Sequence, residues 1–591
     1  MRRVRLTEGG ARRGRRVIAL LGAAIAVLAL LVSGIALALP DNDASTGVAS
    51  GPRHPAEFAS AQVPAHRRSA HRAGAGSGSA ADAVLTISPT ASTTAVPPSY
   101  FGLSTEYWAL PIFERDMPVF ERVISLLHVP GNGPLVLRIG GDSADHSFWM
   151  PKKPKDMPSW AFAVTPTFLT QLRTLVKRDP VKLIVDLNLV TDTPWTAATW
   201  ARAAETSLPR GSIVGFEVGN EPDLYTHSYW SAMVARSPLE ARPLPLELTP
   251  DSYVDDFRDY ANVLGEGAPD IPLIGPAVAH PRVSLPWIKA LIAAERPELG
   301  AITGHLYPYS ECIKHKSNSG YPTVARLLSF QAVGALAKDV AGAVRVSHDA
   351  GLKFRLTELN SVTCGGKAGV SNTFATALWA PDALFTLMRA GVDGVNLHVR
   401  AYAINAPFSL DRRGLYARPL LYGLIMFART LGADARLVRL HMAHARSLNL
   451  SAWAVRVRGG LLHVLLVDKS NRSVRVDLHL PATGPASVQR LLAPSASSTT
   501  GETLDGQRLG PDGTWIGTRV TQTITRGAHG YMVTLPRHSA ALVGVRIGTP
   551  RIAGVPTLGT GHHRTKVRHH ARRSVATLVA DRTDRRGTRR A

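Results

Sequence analysis

The chain of 591 residues is too long for one ordinary domain, and its hydrophobic content of 45% provides for a sizeable core. Its two cysteines exclude a disulfide-rich scaffold and a four-cysteine zinc site. The formal charge of +24 is concentrated in the tails, with a net +7 in residues 1–80 and +9 in residues 551–591. The basic composition therefore describes solvated tails and predicts no specific nucleic-acid partner.

The first 39 residues have the character of a targeting segment. Met1–Arg16 carries seven arginines, and Val17–Leu39 is an apolar run of 23 residues, long enough to span a bilayer. Arginines ahead of such a run predict that the rest of the chain is exported. Ala36-Leu37-Ala38 has the pattern of a cleavage site, so the run is either a signal peptide or an uncleaved anchor. We therefore expect a protein that is secreted, or anchored by an N-terminal helix at the extracellular face of the membrane.

Two segments lack any apolar periodicity. Residues 40–82 are rich in Ala, Ser, Gly, His and Arg and predict a disordered linker, and residues 549–591 predict a disordered basic tail. Between the linker and the rest of the chain, Ala83–Ser88 has the composition of a strand. We expect residues 83–98 to add this strand to the C-terminal domain.

Strand-like and helix-like stretches alternate through residues 99–430, which predicts a parallel sheet with helical crossovers. Eight strand units fit a (β/α)8 barrel, although a doubly wound sheet would alternate in the same way. Helices are predicted at Thr165–Val176, Asp251–Leu264 and Thr373–Ala390. The predicted strands are Ser99–Trp108, Leu135–Gly141, Val181–Val190, Ile213–Pro222, Ile271–Ala279, Ala301–Pro308, Lys353–Ser361 and Gly391–Val399.

The pattern changes to short strands and turns after residue 430. Apolar and polar residues alternate in Val474–Leu480, which is typical of a half-buried strand. Other strand-like stretches are Ala452–Arg458, Leu461–Val467, Tyr531–Leu535 and Ala540–Ile547. Residues 431–548 therefore predict an all-β sandwich that follows the barrel.

One predicted strand of the barrel ends in Gly219-Asn220-Glu221-Pro222. Because Pro222 cannot continue a sheet ladder, Glu221 lies where the fourth strand stops, and barrel enzymes hold catalytic groups at these carboxyl ends. Asn220 offers a hydrogen-bond donor to a ligand beside it. The alternative is a loop carboxylate next to a turn-forming asparagine.

A second carboxylate, Glu358, ends the seventh predicted strand in the stretch Lys353–Ser361. In a closed barrel Glu221 and Glu358 face each other across the pocket, as hydrolysis of a glycosidic bond requires. At a separation of roughly 5–5.5 Å, one carboxylate attacks the sugar while the other protonates the leaving oxygen. The alternative is that Glu358 only pairs with Arg355 or another nearby arginine.

These motifs resemble those of glycoside hydrolase family 79, the β-glucuronidase and heparanase group within the clan of retaining (β/α)8 glycosidases. The resemblance runs from about residue 83 to 547 and implies that Glu221 is the general acid/base, that Glu358 is the nucleophile and that no cofactor is needed. The stretches that carry it are "SYFGLSTEYW" (Ser99–Trp108), "LRIGGDSAD" (Leu137–Asp145), "GNEP" (Gly219–Pro222), "GHLYPYSEC" (Gly304–Cys312), "TELNS" (Thr357–Ser361), "SVTCGGKAGVSNTFATALWAPDAL" (Ser361–Leu384) and "GVDGVNLHVRAY" (Gly391–Tyr402).

Further residues at strand ends are candidates for substrate contacts. Tyr307 ends the sixth predicted strand, where a hydrogen bond from it would hold the nucleophile ionised; the alternative is an ordinary aromatic residue at the barrel rim. Arg400 and Tyr402 follow the eighth predicted strand, where they would recognise a uronate carboxylate. Glu106 and Asn220 are candidates for contacts with sugar hydroxyls. Asp142 is either a substrate contact or a helix cap, and His305 is either a substrate contact or a structural histidine at the rim.

Cys312 and Cys364 follow the sixth and seventh predicted strands. Adjacent strand ends bring their loops together, so an exported protein is expected to join them in a disulfide; the alternative is two free thiols. We find no metal-ligand spacing and no nucleotide-binding glycine motif in context.

The predicted function is that of an exo-acting, retaining β-glucuronidase-like hydrolase of β-glucuronides or uronate-containing glycans. Three alternatives stay open: an endo-acting hydrolase of acidic polysaccharide, a neutral-sugar glycosidase of the same clan, and an inactive surface protein that binds glycans. The insertions Gly304–Tyr321 and Ser228–Pro250 would build the walls that distinguish a closed pocket from an open cleft.

Overall fold

The computed structural model describes residues 81–153, 155–225, 248–444 and 447–547. The predicted targeting segment, nearly all of the predicted linker, the basic tail and most of the insertion Ser228–Pro250 lie outside these residues. Among the described residues, no helix is both long enough and apolar enough to cross a membrane.

Eight parallel strands form a closed barrel, and each coincides with one of the eight predicted strands. Residues of the last strand pair with the first, for example Val395 opposite Phe101, so the alternative of an open doubly wound sheet is excluded. The strands are β1 (Phe101–Glu106), β2 (Leu135–Gly140), β3 (Val181–Leu187), β4 (Ile213–Val218), β5 (Leu273–Val278), β6 (Leu299–Leu306), β7 (Lys353–Leu359) and β8 (Gly394–His398).

Several barrel helices begin at the same local signal, a threonine followed by proline. The side-chain oxygens of Thr165, Thr193 and Thr249 each accept a hydrogen bond from a backbone N–H in the first turn, and the proline occupies a position that needs no donor. The α-helices are Leu110–Glu114, Met117–Leu127, Pro166–Arg178, Pro194–Ser207, Pro250–Gly267, Leu285–Glu295, Val324–Leu328, Phe330–Asp349, Phe374–Arg389 and Pro419–Thr430. Short 3-10 helices lie at Gly141–His146, Pro222–Leu224 and Arg296–Glu298.

The C-terminal part is a sandwich of two sheets around a separate apolar core. The smaller sheet contains, in order, His441–His444, Ala83–Thr86, Val474–His479 and Tyr531–Leu535. The larger sheet contains, in order, Thr93–Ala95, Arg436–Val438, Leu450–Val457, Leu461–Asp468, Ser539–Arg546, Ala486–Leu492 and Thr503–Leu504, and Gln522–Ile524 pairs with Ala486–Leu492. Small two-stranded ladders join Ser147–Trp149 to Phe162–Val164, Tyr309–Ser310 to Val362–Thr363, Phe408–Asp411 to Gly414–Ala417 and Arg508–Leu509 to Trp515–Ile516.

The segment that precedes the barrel belongs to the sandwich in space. Ala83–Thr86 lies parallel to Val474–His479 and antiparallel to His441–His444. Thr93–Ala95 pairs with Arg436–Val438 in the other sheet. Residues 83–98 therefore supply one strand to each sheet, where a single strand was predicted.

A buried ion pair joins the barrel to the sandwich. Asp382, in the helix Phe374–Arg389, accepts hydrogen bonds from the Nζ of Lys469 (2.6 Å), the Nε1 of Trp453 (2.9 Å) and the Oγ of Ser451 (2.8 Å). The side chains of Asp382 and Lys469 are each only 1% exposed. The helix is buried around its whole circumference because it packs between the two parts. The carboxylate of Asp382 is one of its polar contacts with the C-terminal part.

Candidate active site

Two glutamates lie at the carboxyl ends of β4 and β7. Glu221 follows β4 in a left-handed backbone conformation (φ 50°), which a non-glycine residue adopts at a cost and which is frequent at functional sites. Glu358 is the penultimate residue of β7 and is almost fully buried. One oxygen of each carboxylate and a ring nitrogen of His305 lie within 4.8 Å of one another. This proximity fits the short carboxylate separation of retaining glycosidases, roughly 5–5.5 Å.

The carboxylate of Glu358 is held on both of its oxygens. Arg138 Nη1 donates to Oε1 (2.8 Å), and the hydroxyl of Tyr307 donates to Oε2 (2.7 Å). Burial raises the pKa of this carboxyl, but the positive charges of His398 and Arg138 and the hydrogen bond from Tyr307 outweigh burial and lower the pKa to about 2. Glu358 is therefore ionised at neutral pH, as a nucleophile must be.

Arg138, in the middle of β2, is the cation of a fully buried charge cluster. Its Nε donates to Glu217 of β4, and its Nη2 donates to Asp186 of β3 (2.7 Å) and to the side-chain oxygen of Asn220 (3.0 Å). Burial raises the pKa of Asp186 well above its usual value. One guanidinium thus binds three carboxylates and fixes Glu358 relative to the barrel wall.

The carboxylate of Glu221 contacts one buried side chain. His305 Nδ1 lies 2.9 Å from Glu221 Oε1, and the His305 side chain is fully buried whereas that of Glu221 is 21% exposed. The backbone N–H of Glu221 donates to the carbonyl of Ala277 (3.0 Å), which ties the end of β4 to β5. The catalytic candidate nearer to solvent is therefore Glu221, and the more enclosed one is Glu358.

Glu106, at the end of β1, lies beneath the rim of the pocket. Its carboxylate accepts a hydrogen bond from the backbone N–H of Ser143 (2.9 Å) and is fully buried. Gly141 has a φ of 71°, and a Cβ there would lie 3.0 Å from this carboxylate, so the turn after β2 requires glycine. Burial raises the pKa of Glu106, but contact with His398 and the charge of Arg400 leave it below its usual value.

Arg400 lies at the rim with a second acid. Its Nη1 donates to Asp142 (3.3 Å), its Nε lies 3.9 Å from Glu106, and its guanidinium lies 5.7 Å from the ring centre of Trp108. Asp142 is half exposed, with 50% of its side chain accessible. These contacts place a cation and an acid side by side at the mouth of the site.

The second predicted carboxylate contact, Tyr402, differs from Arg400. Its backbone is left-handed (φ 64°) and its side chain is 58% exposed. The chain turns immediately after β8, where the N–H of Ala403 donates to the carbonyl of Arg400 (3.1 Å), and this turn ends the alternation of inward and outward side chains. Arg400 thus contacts the acids of the pocket, whereas Tyr402 is mostly exposed.

Cys312 and Cys364 form a disulfide with a Cα–Cα distance of 6.0 Å. It joins the loops that follow β6 and β7, next to the ladder of Tyr309–Ser310 with Val362–Thr363. The loop that carries Cys364 begins directly after β7, two residues beyond Glu358. The disulfide therefore anchors one wall of the pocket close to the buried carboxylate.

Three polar groups of the site were not predicted from the sequence. Glu217 and Asp186 are strand residues that contact Arg138, and nothing in their local sequence distinguishes them from ordinary strand carboxylates. His398 is the last residue of β8, and the rule that selected the other strand ends applies to it equally.

A closed eight-stranded barrel with facing glutamates after β4 and within β7 has the architecture of the retaining (β/α)8 glycosidases. The family model for the glycosyl hydrolase family 79 C-terminal beta domain matches residues 447–542. The chain therefore carries the C-terminal beta domain of that family, which agrees with the resemblance predicted from the sequence.

Individual relatives extend the likeness to the barrel. A β-glucuronidase of Aspergillus niger is 26% identical over 341 residues, which cover 51% of this chain and 59% of that relative's length. A 4-O-α-L-rhamnosyl-β-D-glucuronidase of Fusarium oxysporum 12S has a similar structure, with a TM-score of 0.63 and 17% identity over 78% of this chain and 99% of that chain. The family 51 α-L-arabinofuranosidase AbfB of Bifidobacterium longum has a TM-score of 0.57 and 14% identity over 79% of this chain and 100% of that chain. At these identities the two structures support the fold alone.

Proposed function

We propose that this protein is a retaining glycoside hydrolase that removes β-linked glucuronate from the end of a glycan or glucuronide. The observation that carries the proposal is the pair of carboxylates, Glu221 and Glu358, with oxygens within 4.8 Å in a barrel pocket. The asymmetry of their surroundings supports two different roles. Glu358 is enclosed and ionised, whereas Glu221 is partly exposed and reaches a leaving group more easily.

The first chemical step forms a covalent intermediate. The carboxylate of Glu358 attacks the anomeric carbon while the proton of Glu221 passes to the glycosidic oxygen. The bond between the anomeric carbon and that oxygen breaks, and the aglycone leaves as an alcohol. Arg138 and Tyr307 hold the attacking group in place, which reduces the orientational freedom that the reaction must otherwise remove.

The second step releases the sugar. Glu221, now a carboxylate, takes a proton from a water molecule, and the water oxygen attacks the anomeric carbon. Glu358 leaves as a carboxylate again. His305, 2.9 Å from Glu221, is placed to orient the acid/base group in both steps. Two inversions at one carbon give overall retention of configuration.

Recognition of the uronate carboxylate is proposed for Arg400. Its guanidinium faces the pocket acids Asp142 and Glu106, so a bound carboxylate would compete with Asp142 for the same N–H groups. Asn220 accepts a hydrogen bond from Arg138 through its side-chain oxygen, which leaves its NH2 group for a sugar hydroxyl. The names of the Aspergillus and Fusarium relatives also support a glucuronide substrate.

The test uses purified protein with an aryl β-D-glucuronide and a panel of other aryl glycosides. Wild type is compared with Glu221→Gln, Glu358→Gln and the control Glu266→Gln, an exposed helix residue. Release of aryl alcohol from the glucuronide by wild type and the control, but not by Glu358→Gln, is the expected result. Hydrolysis of a neutral glycoside instead would refute the uronate site while keeping the mechanism.

Products formed with azide distinguish the acid/base residue from the nucleophile. Glu221→Ala with a reactive aryl substrate is expected to accumulate the intermediate, which azide converts into a β-glycosyl azide. Glu358→Ala with azide is expected to give the α-anomer, because a single inversion occurs. The opposite pairing of products would reverse the assignments of Glu221 and Glu358.

If the protein is inactive towards every aryl glycoside, two of the alternatives remain: an endo-acting hydrolase and an inactive protein that binds glycans. These are separated by incubation with acidic polysaccharides, since only an endo enzyme shortens the polymer. A binding protein would retain saturable affinity that Glu358→Gln does not change.

We also propose that the protein is exported. The apolar run Val17–Leu39 and the disulfide between Cys312 and Cys364 support an oxidising compartment outside the cytoplasm. N-terminal sequencing of the protein from its host would distinguish cleavage after Ala38 from an uncleaved anchor.

A further inference from the structure

His398 lies between two carboxylates of the pocket. Its Nδ1 is 2.8 Å from the hydroxyl oxygen of Tyr307 and 3.2 Å from Glu358 Oε2. Its Nε2, on the opposite side of the ring, is 3.6 Å from Glu106 Oε1. Both nitrogens therefore face oxygens, and turning the ring over would place carbon atoms against both groups.

The hydrogen bonds on the Nδ1 side identify a donor. Tyr307 has a single hydroxyl proton, and that proton is donated to Glu358 Oε2 at 2.7 Å. The oxygen of Tyr307 can then only accept from His398, so Nδ1 must carry a hydrogen. Without this hydrogen, the lone pair of Nδ1 would face both the hydroxyl oxygen of Tyr307 and the ionised Oε2 of Glu358 in a buried site.

The Nε2 side requires a hydrogen as well. Nε2 of His398 and Oε1 of Glu106 are both buried, and neither has a hydrogen-bond partner among the described residues. The other oxygen of Glu106 accepts from the backbone N–H of Ser143, which favours the ionised carboxylate. A lone pair on Nε2 would face this charge at 3.6 Å, whereas an N–H satisfies both groups electrostatically.

The charged groups around the ring favour the doubly protonated form. Glu106 approaches from β1 and Glu358 from β7, while Tyr307 at the end of β6 is neutral; Arg400, beyond β8, is the opposing positive charge. Burial lowers the pKa of His398, but the two carboxylates outweigh burial and Arg400 and hold the pKa above its usual value.

We propose that His398 is a positioning residue of the glycosidase, an imidazolium that holds Oε2 of Glu358 and takes Glu106 as its counterion. Its role towards Glu358 rests on the proposed function. In this arrangement Glu106 acts on the nucleophile through His398. Loss of the proton at high pH removes one of the cations that keep Glu358 oriented.

The protonation state is tested by NMR on the full chain with 15N-labelled histidine. The resonances of His398 are identified as those absent from His398→Asn and present in the control His441→Asn, an exposed sandwich histidine. Two protonated ring nitrogens at pH 7 are the expected result. A neutral tautomer at that pH overturns the proposal, and this measurement needs no enzymatic activity.

The effect on the nucleophile is tested in a Glu221→Gln background, with an aryl glucuronide whose leaving group needs no proton. In this variant no ionisable group is present at position 221, and kcat/KM is expected to decline at alkaline pH as His398 loses its proton. Adding His398→Asn, which keeps a donor nitrogen near Nδ1 but no charge, is expected to abolish this decline. It is also expected to move the acid limb up by about one to two pH units.

An alkaline decline that persists unchanged in the double variant overturns the proposal. So does His398→Asn with an unmoved acid limb. Unchanged thermal unfolding of His398→Asn separates this role from a merely structural one. A wild-type enzyme that is inactive on every glycoside refutes the proposed function, while the NMR result still decides whether His398 is an imidazolium.

Discussion

Replacing Lys469 with methionine is expected to destabilise the junction between barrel and sandwich. The change removes the cation of a pair whose side chains are each 1% exposed and leaves Asp382 buried as an uncompensated charge. Loss of one partner of such a pair costs about 3–5 kcal/mol. Because Trp453 and Ser451 still donate to Asp382, we expect the lower end of that range, about 3 kcal/mol.

The free energy of unfolding is measured by urea titration followed by circular dichroism. Lys338→Met, at an exposed helix position, is the control for loss of a lysine charge. Adding Asp382→Asn to Lys469→Met is expected to recover most of the stability, since replacing both charges is close to neutral. A loss below about 1 kcal/mol in the single variant, or an additive loss in the double variant, would refute the reasoning.

The remaining predictions concern the pocket. Tyr307→Phe removes a hydrogen bond to the ionised carboxyl of Glu358, whose pKa is about 2. We expect this pKa to rise by about 1–2 units, so that kcat of the variant declines below about pH 4, where wild type stays active. The same pH dependence of kcat in both proteins at acidic pH would contradict this prediction. The double variant Cys312→Ser/Cys364→Ser lacks the disulfide, which spans 52 residues. We expect the free energy of unfolding in urea to fall by about 2–4 kcal/mol and KM to rise. Unchanged values of both would show that the disulfide does not stabilise the rim of the pocket. Arg138→Met leaves three carboxylates in the barrel without their cation, so we expect little folded protein by circular dichroism and limited proteolysis; a variant with wild-type thermal unfolding would contradict this.

The barrel could be predicted because eight strand-like stretches alternate with helix-like stretches along the sequence. Pro222 marks the end of β4, and the glutamates at the ends of β4 and β7 follow from the topology of a closed barrel. The two strands within residues 83–98 were harder to predict. Thr93–Ala95 has only three residues and little apolar pattern, so its pairing depends on a partner more than 300 residues away.

The charge cluster shows where sequence reasoning ends. Arg138 lies inside β2, and its partners come from three other strands at sequence separations of 48, 79 and 220 residues. No local pattern indicates which buried acids meet one guanidinium. Tyr402 follows β8 in a left-handed conformation and is 58% exposed, and its role in binding a uronate carboxylate stays a prediction.

The position of Ala83–Thr86 has a consequence for how the chain is made. This strand leaves the ribosome before the other strands of its sheet, yet it lies between His441–His444 and Val474–His479 in the finished sheet. About 390 further residues must be synthesised before its parallel partner exists, which takes roughly 20–80 s at about 5–20 residues per second. During that time the strand edge is unpaired and the barrel can close without it. Completion of the sandwich is therefore a late event of biosynthesis. A deletion that removes the C-terminal strands also leaves Ala83–Thr86 without its partners.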